Sequence, residues 1–329
     1  MLTFHRPSAR GAAVLLCAVL VAGAWGCRTA TGPCPAKTLT ISPNPLIVVR
    51  STNAQFTATG RDYRGNVVST SPTWSADPAS GTILAGSGLF TAVDGTGTFP
   101  DAVQAASGGL TAKATVIVVG SGGGPSPGSL NSAGTFSILA GSTVTNTGAT
   151  TTITGDVGVS PGSAITGIPA GQPTLGSTHA GDATAATAQT DLTAAYNNLA
   201  GLACDANLTS LDLGGRTLPP GVYCFNTSAQ LTGTVTLDGQ GNAAAVFVIQ
   251  IGSTLTTASN AAVTLIGSAQ AANVYWQVGS SATLGTDTAF KGNIVALQSI
   301  TLNTGASLSG RALARNGAVT LAANAVTLP

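Results

Sequence analysis

The sequence predicts a mainly β chain in which residues 130–329 form a β-solenoid. The dipeptide Thr-Leu recurs in this region, starting at Thr236, Thr254, Thr264, Thr283, Thr301 and Thr320. The last four of these threonines recur at a nearly constant interval, about the length of one three-sided solenoid coil. Only 7% of the chain is charged and it contains 43 Gly, which favours stacked β-structure over helical bundles with charged surfaces. We therefore expect flat faces of regularly spaced Thr, Ser, Asn and Ala.

The overall composition excludes several other classes of protein. The hydrophobic fraction of 43% argues against disorder. A net charge of +1 provides no basic surface for a nucleic acid. A length of 329 residues leaves room for two ordinary domains.

The amino-terminal segment 1–26 is typical of an export signal. Arg6 and Arg10 precede the apolar run 11–25, which is too short to span a bilayer comfortably. The sequence Ala24-Trp25-Gly26-Cys27 resembles the bacterial lipoprotein cleavage box, in which Cys27 becomes the lipidated first residue. Cleavage by an ordinary signal peptidase is the alternative. The protein is thus expected to be an outer-membrane or cell-surface lipoprotein, bound to the membrane only through its lipid, or to be secreted.

The cysteines agree with export. Cys204 and Cys224 flank a Gly- and Pro-rich turn region, and a disulfide there would stabilise the fold by about 3 kcal/mol. Cys34 is left to pair with Cys27 if Cys27 carries no lipid. We expect no metal site, because His179 is the only histidine outside the export signal.

A tether at 27–36 leads into a first domain at 37–119. Short alternating segments separated by turn residues predict a small β-sandwich here. The segments around Phe56, Trp74 and Phe90 resemble bacterial immunoglobulin-like modules of surface proteins, in which Trp74 would be buried between the two phenylalanines. We interpret this domain as a spacer. The Gly-, Ser- and Pro-rich segment 120–129 is expected to be a flexible linker.

The second domain contains one predicted helix, from about Asp182 to Ala200. Asp182 is a suitable N-cap, and an apolar stripe follows at helical spacing, formed by Leu192, Ala195, Tyr196 and Leu199. Thr- and Val-rich strands precede the helix, and the remaining coils occupy about 211–329.

Several segments of the second domain resemble the microbial ice-binding protein family. They begin at Thr154 (TGDVGVSP), Leu218 (LPPGVY), Leu237 (LDGQGN), Val246 (VFVIQIGSTL), Asn273 (NVYWQVGS) and Gly310 (GRALARNGAVTL). The resemblance implies a right-handed discontinuous β-solenoid of triangular section with one long α-helix alongside. It also implies that Asn273, Gln277, Arg311, Arg315 and Asn316 are scaffold residues that bond buried backbone groups.

In this family, activity lies on one flat solenoid face where short steps of Thr-[Ala/Gly]-x-[Thr/Asn] recur. The matching or equivalent stretches here start at Thr147, Thr257, Thr286 and Thr304. They imply an ice-contacting set formed by Thr147, Thr150, Thr257, Asn260, Thr286, Thr288, Thr304 and Ser307. Asp287 and Lys291 would place charge on or beside this face. The implied partner is the surface of an ice crystal, bound by a monomer without a cofactor.

Two other functions compete with ice binding. The same face could bind a polysaccharide or a cell-surface protein, as in an adhesin, but the aromatic residues that would favour glycans (Phe225, Phe247, Tyr275, Trp276) lie in apolar strands. A polysaccharide-cleaving enzyme needs clustered carboxylates or a calcium-assisted base. The carboxylates of this domain are scattered, so we expect no catalytic residues.

Overall fold

The computed structural model describes residues 35–120 and 124–329. The expected export signal, Cys27 and Cys34 lie outside the described residues, as does most of the expected tether.

Residues 35–120 contain ten strands arranged in three small sheets. The strands are β1 (Thr38–Ser42), β2 (Leu46–Val49), β3 (Asn53–Gln55), β4 (Thr57–Arg61), β5 (Val67–Val68), β6 (Thr73–Ala76), β7 (Gly81–Ile83), β8 (Leu89–Ala92), β9 (Gly97–Ser107) and β10 (Leu110–Val119). The sheet orders are β1-β4-β5, β2-β10-β9-β6 and β3-β8-β7. All pairs are antiparallel except β2 with β10, which is parallel.

The core of this domain forms around Trp74. The ring centroid of Phe56 lies 6.1 Å from that of Trp74 and 5.9 Å from that of Phe90. All three side chains are buried, which confirms their prediction as core residues.

Residues 124–329 contain 21 strands and one α-helix. The first strands and the helix are β11 (Phe136–Ala140), β12 (Thr143–Asn146), β13 (Thr152–Ile153), β14 (Asp156–Val159), β15 (Ala164–Thr166), β16 (Thr178–Ala180) and α1 (Ala183–Ala200). After the helix come β17 (Ala206–Asn207), β18 (Thr217–Leu218), β19 (Gly221–Phe225), β20 (Ala229–Leu231), β21 (Thr234–Asp238), β22 (Phe247–Ile251), β23 (Leu255–Thr257) and β24 (Ala262–Ile266). The last strands are β25 (Val274–Val278), β26 (Ala282–Leu284), β27 (Ala289–Ala296), β28 (Ile300–Leu302), β29 (Ser307–Ala314), β30 (Val319–Leu321) and β31 (Ala325–Thr327). Short 3-10 turns occupy Asn131–Thr135 and Ala271–Asn273.

These strands stack in parallel as the three faces of a solenoid. The first face has the order β16-β14-β11-β29-β27-β25-β22-β19-β17, and the second face has the order β15-β12-β30-β28-β26-β23-β20. The third face runs through β18, β21 and β24, continues along the first halves of β27 and β29, and ends with β31 and β13. The inner side chains of all three faces form one apolar core.

The order of the coils in space differs from their order in the sequence. β11, from the first coil, pairs with both β14 of the second coil and β29 of the last coil. Helix α1 connects the two ends of the stack: it follows β16 at one end and leads into β17 at the other. Its 18 residues span about 27 Å, while the nine strands of the first face span about 38 Å.

Helix α1 begins and packs as the sequence predicts. The Asp182 carboxylate accepts a hydrogen bond of 2.9 Å from the backbone N–H of Ala185, which confirms the N-cap. The buried stripe is formed by Ala185, Ala188, Leu192, Ala195 and Leu199. Tyr196, predicted within the stripe, is only half-buried, and its ring lies 4.8 Å from the Arg315 guanidinium. No helix among the described residues is long and apolar enough to cross a membrane.

The Thr-Leu repeat mixes residues of two faces, so part of the predicted period is wrong. Thr283, Thr301 and Thr320 pair with one another on the second face, which confirms the last two intervals of the repeat. Thr264 instead lies on the third face, where it pairs with Thr236. On the second face, Thr283 pairs with Thr256. The coil between these two threonines is longer than the repeat interval because it contains the additional 3-10 turn at Ala271–Asn273.

Cys204 and Cys224 form a disulfide with a Cα–Cα distance of 5.9 Å. It joins the segment after helix α1 to strand β19, near the end of the stack. We expect the double variant Cys204→Ser, Cys224→Ala to lower the free energy of unfolding by about 3 kcal/mol, because the bond restricts the unfolded chain. Urea unfolding of both proteins measures this loss. Wild-type protein under reducing conditions should show the same loss, and unchanged unfolding in both cases would contradict the assignment.

Asp191 connects the middle of helix α1 by hydrogen bonds to the 3-10 turn that precedes β11. Its carboxylate accepts hydrogen bonds from the Ser132 hydroxyl and from the Ser132 backbone N–H, the latter at 3.0 Å. These hydrogen bonds hold the pKa of Asp191 below its ordinary value. The stability that they provide is therefore present above the unfolded-state pKa of about 4 and is lost as the pH falls through the folded-state pKa.

We expect the melting temperature of the wild type to fall on acidification below about pH 4, and Asp191→Asn to fall less over the same range. Thermal melts from neutral to strongly acidic pH test this. Asp101→Asn, at an exposed position of the first domain, is the control and should follow the wild-type profile. An Asp191→Asn profile parallel to the wild type would show that Asp191 contributes nothing to the acid sensitivity.

Candidate functional site

Among the described residues, only one of the three solenoid faces has strands without a charged residue and is not covered by helix α1. The outer side of the first face is buried under helix α1, through Val222, Cys224, Val248, Val295 and Leu313. The third face carries the charged side chain of Lys291, which pairs with Ser309. The second face remains as the candidate for a binding surface.

A row of six threonines runs across the second face. In spatial order, with each residue directly opposite the next, this threonine row consists of Thr166, Thr145, Thr320, Thr301, Thr283 and Thr256. Five steps of about 4.8 Å give the row a length of about 24 Å. Thr166 and Thr256 are exposed and the four between them are half-buried. Gln230 continues the row beyond Thr256.

The alternation of side chains along each strand orients the row. Val144 and Asn146, on either side of Thr145, are buried, and Ile300 and Leu302 are buried on either side of Thr301. Threonine is β-branched and has few χ1 rotamers, so each methyl and hydroxyl is held in a fixed direction outside the sheet.

A second line of hydroxyls lies beside the row, at the corner with the first face. The Thr254 hydroxyl donates to the Ser228 hydroxyl at 2.8 Å. Further along, the Ser281 hydroxyl accepts from the Ser299 backbone N–H at 3.3 Å, and the Ser299 hydroxyl accepts from that of Ala318 at 3.2 Å. These contacts connect successive coils, so they fix the edge of the face.

The second face is uniformly uncharged. Among its described strand residues, none is charged and none is aromatic. The exposed carboxylate of Asp287 lies in the corner loop that leads to the third face. The sequence-predicted charge at Asp287 therefore lies beside the face, whereas Lys291 lies on the third face.

Five of the eight sequence-predicted contact residues line this corner. Thr147, Thr150, Asn260, Thr286 and Thr304 are all exposed. The corner loops are stacked by backbone hydrogen bonds, from Asn260 N–H to Thr286 O at 2.9 Å, from Asp287 N–H to Thr304 O at 3.1 Å and from Thr147 N–H to Leu321 O at 3.0 Å. The structure thus stacks the loops of Asn260, Thr286, Thr304 and Thr147 along the border of the threonine row.

Thr257 and Thr288 are corrections to the predicted set, because both are buried. Their hydroxyls are hydrogen-bonded to each other at 2.8 Å. The Thr257 hydroxyl also accepts from the Gly285 backbone N–H at 2.8 Å, and the Thr288 hydroxyl donates to Ala258 O at 3.2 Å. The two side chains satisfy backbone groups inside the corner, so neither can contact a partner. Ser307, the eighth residue, is half-buried in β29 on the third face.

Buried amides hold the same corner in neighbouring coils. Asn324 donates to Asn303 O and Ala306 O at 2.8 and 2.9 Å. Asn146 donates to Gly148 O and Gly167 O at 2.8 and 2.7 Å and accepts from the Thr151 hydroxyl at 2.6 Å. Fully satisfied buried networks of this kind make a loop rigid, so the corner line is held in place beneath its exposed side chains.

The threonine row itself was missed as a set of contact residues. Its signal was present in the sequence, because Thr283, Thr301 and Thr320 belong to the Thr-Leu repeat. The family motif drew attention instead to the corner that follows each of these strands. Thr145, Thr166 and Thr256 precede residues other than Leu, so the repeat could not identify them.

Two of the five predicted scaffold residues, Asn273 and Arg311, bond backbone carbonyls, whereas Arg315 donates to the Thr193 hydroxyl and Asn316 is exposed. Arg311 donates to Gly134 O at 2.7 and 2.9 Å and to the Asn293 side chain at 2.8 Å, and Asn273 donates to Ala243 O at 3.1 Å. Phe225, Phe247 and Trp276 are buried, and Tyr275 is half-buried near helix α1. Within residues 35–120 and 124–329, no group of three His, Cys, Asp or Glu side chains could hold a metal ion.

The buried pair Thr257 and Thr288 generates a stability prediction. We expect Thr257→Val to lower the free energy of unfolding by about 1–3 kcal/mol, because the Gly285 N–H and the Thr288 hydroxyl lose a buried partner. The double variant Thr257→Val, Thr288→Val should cost less than the sum of the two single variants, because it removes both hydroxyls of the pair. Urea unfolding of the four proteins measures this coupling. Strictly additive losses would contradict the direct hydroxyl contact.

Comparison with known proteins agrees with this geometry. The model of the family described as ice-binding-like matches residues 138–327. The chain is 55% identical over 201 residues to the ice-binding protein of Nostoc sp. (strain HG1), covering 60% of this chain and 73% of that one. It is 32% identical over 328 residues to ice-binding protein 1 of Shewanella frigidimarina (strain NCIMB 400), covering 87% of this chain and 36% of that one. A crystal structure of an ice-binding protein from an Antarctic biological consortium matches with a TM-score of 0.59 and 50% identity, over 64% of this chain and 94% of that one.

Proposed function

Because this chain belongs to the ice-binding-like family, we propose that it binds the surface of ice crystals through the second face of its solenoid. The observation that carries the proposal is the threonine row, six in-register threonines on a face whose described strands contain no charged residue. The exposed corner residues Thr147, Thr150, Asn260, Thr286 and Thr304 extend the contact along one border.

The chemistry of the row suits a crystalline water surface. The spacing of about 4.8 Å between successive threonines is close to oxygen repeats in the ice lattice. Each methyl group orders the water around it, and each hydroxyl anchors that water by a hydrogen bond. The aligned set can thus hold an ice-like layer that merges with the crystal. Charged side chains would instead organise their own hydration shells, which do not fit the lattice.

The rigidity of the face decides the affinity. Each threonine contact with ice is weak, so binding depends on many contacts made at the same time. β-branched side chains on a stacked sheet lose little conformational entropy on binding. The corner networks around Thr257, Asn146 and Asn324 also keep the adjoining loops rigid, so these loops too lose little conformational entropy on binding.

The proposal extends to the parts of the protein around this face. We infer that the solenoid winds right-handed, as parallel strand crossovers do, and that residues 37–119 form a bacterial immunoglobulin-like sandwich around Trp74. The leader sequence and Cys27 support export with a lipid anchor, which would hold a monomeric ice-binding protein at the cell surface. We propose no catalytic role and no cofactor.

Substitutions on the threonine row test the function. We expect the full chain carrying Thr283→Tyr and Thr301→Tyr to require at least about tenfold more protein to inhibit ice recrystallisation, because two bulky rings at the middle of the row hold the face away from the crystal. Thermal hysteresis should fall in parallel. Recrystallisation assays and hysteresis measurements against the wild type check both expectations.

The matched control is Thr264→Tyr, which places the same ring on an exposed threonine of the third face. It should retain wild-type activity, and all variants should melt at similar temperatures. Equal losses of activity in the control and in the row variant would show that the second face is not the binding site. A well-folded wild type without any activity would contradict ice binding and favour a polysaccharide or protein partner.

A further inference from the structure

The sheet β2-β10-β9-β6 of the amino-terminal domain is buried on both sides along two of its strands. Leu46 and Val48 of β2, with Val116 and Val118 of β10, face the core of their own domain. The alternate residues of the same strands face the opposite side of the sheet. Three of them, Val49, Ile117 and Val119, are only 4%, 3% and 1% exposed.

The side chains on this outer side belong to the core of the solenoid. Val49, Ile117 and Val119 are part of the same apolar cluster as Leu213 and Leu218, and Ile47 packs against that cluster. Strand β2 lies next to β18. β18 and β17 are the last strands of the stack at this end, since β18 pairs only with β21 and β17 only with β19 among the described strands. The amino-terminal domain therefore covers the end of the solenoid where the interior would otherwise open to water.

The segment after residue 123 also lies close to this end. Gly124 has a left-handed φ of 86°, and a Cβ there would lie 2.2 Å from the carbonyl oxygen of Val246. Together with Pro125 and Ser126 it lines a cavity of about 400 Å³ whose other walls include Leu202, Pro220 and Val222. The chain thus runs close to the solenoid at Gly124, although Gly124, Ser126 and Gly128 are exposed.

We propose that the amino-terminal domain is the end cap of the solenoid and protects the coil at this end from local opening. A stack of coils exposes its apolar interior at each end and needs a terminal element to cover it. Strands β2 and β10 provide this element with one side of a sheet whose other side is a domain core. This inference goes beyond the proposed function and does not depend on it.

The position of the cap leaves the second face clear. The cavities between the two domains are lined on the solenoid side by Gly214, Gly215, Arg216, Thr217, Pro219, Asp238 and Gln240, which lie in or beside the third-face strands β18 and β21. A rigid cap at this end would fix the direction of the threonine row relative to any anchor that precedes residue 35, whereas a freely hinged spacer would not.

Hydrogen exchange of the full chain tests the cap. We expect the double variant Val49→Asn, Ile117→Asn to increase amide exchange at least about tenfold in residues 206–225, the coil beneath the cap, because its opening no longer has to displace a packed domain. Exchange in residues 300–321, in the middle of the stack, should stay as in the wild type. Val67→Asn, at an exposed site of the same domain, is the matched control and should leave both regions unchanged.

The outcome is decisive even if the double variant unfolds the amino-terminal domain, which exchange in residues 73–76 and 101–107 would reveal. Loss of the folded domain also removes the cap, so residues 206–225 must again lose protection. Wild-type protection of 206–225 in the double variant, with the domain folded or unfolded, would overturn the proposal. Ice recrystallisation activity of the same variant is a separate readout, because failure of ice binding would leave the exchange result intact.

Discussion

Parallel, in-register pairing between successive coils is the constraint on which the rest of this structure depends. Each coil must place its strands about 4.8 Å from those of its neighbours, and the pairing determines which residue stands above which. Thr256, Thr283, Thr301 and Thr320 form a line only because Leu255, Ala282, Ile300 and Val319 are stacked beneath the sheet. The outer chemistry is therefore set by the fit of the inner side chains, and a shift of one residue would exchange the two sets.

The same constraint explains the polar residues inside the corners. A coil that turns from one face to the next leaves backbone groups without a ladder partner, and these groups must be satisfied where water is excluded. Coils of different length meet this need with different side chains, such as the Thr257 and Thr288 hydroxyls in one pair of coils and the Asn324 amide in another. In the described residues, every buried side-chain nitrogen and oxygen has a hydrogen-bond partner. Corners that are irregular in sequence can therefore still support a regular outer line.

Sequence reasoning predicted the architecture better than the surface. Composition, the Thr-Leu repeat and the motif resemblance were sufficient for a parallel solenoid with one helix, and the N-cap at Asp182 followed from local chemistry. The contact residues were harder to predict, because Thr257 and Thr304 occupy similar sequence motifs although Thr257 is buried and Thr304 is exposed. The difference comes from the geometry of their coils, which the spacing of residues in the sequence does not reveal. Thr264 fitted the repeat period by coincidence, since the coil from Thr256 to Thr283 is longer than those that follow it. The contact between the domains could not be predicted for another reason. The apolar sequence of strand 46–49 predicts burial on both sides, but it does not indicate whether the second side packs against its own domain or against another.

The position of the first coil has a consequence for synthesis of the protein on the ribosome. β11, β12 and β13 are synthesised before the other solenoid strands, yet one side of each stays unpaired until β29, β30 and β31, the last strands of the solenoid, have been made. The stack therefore closes at an internal seam, and the contacts across that seam are distant in sequence and slow to form. Loss of the final coil would cut the threonine row between Thr145 and Thr301 and leave two short fragments. For this architecture, an intact last coil is a condition for a continuous surface and not merely for a longer one.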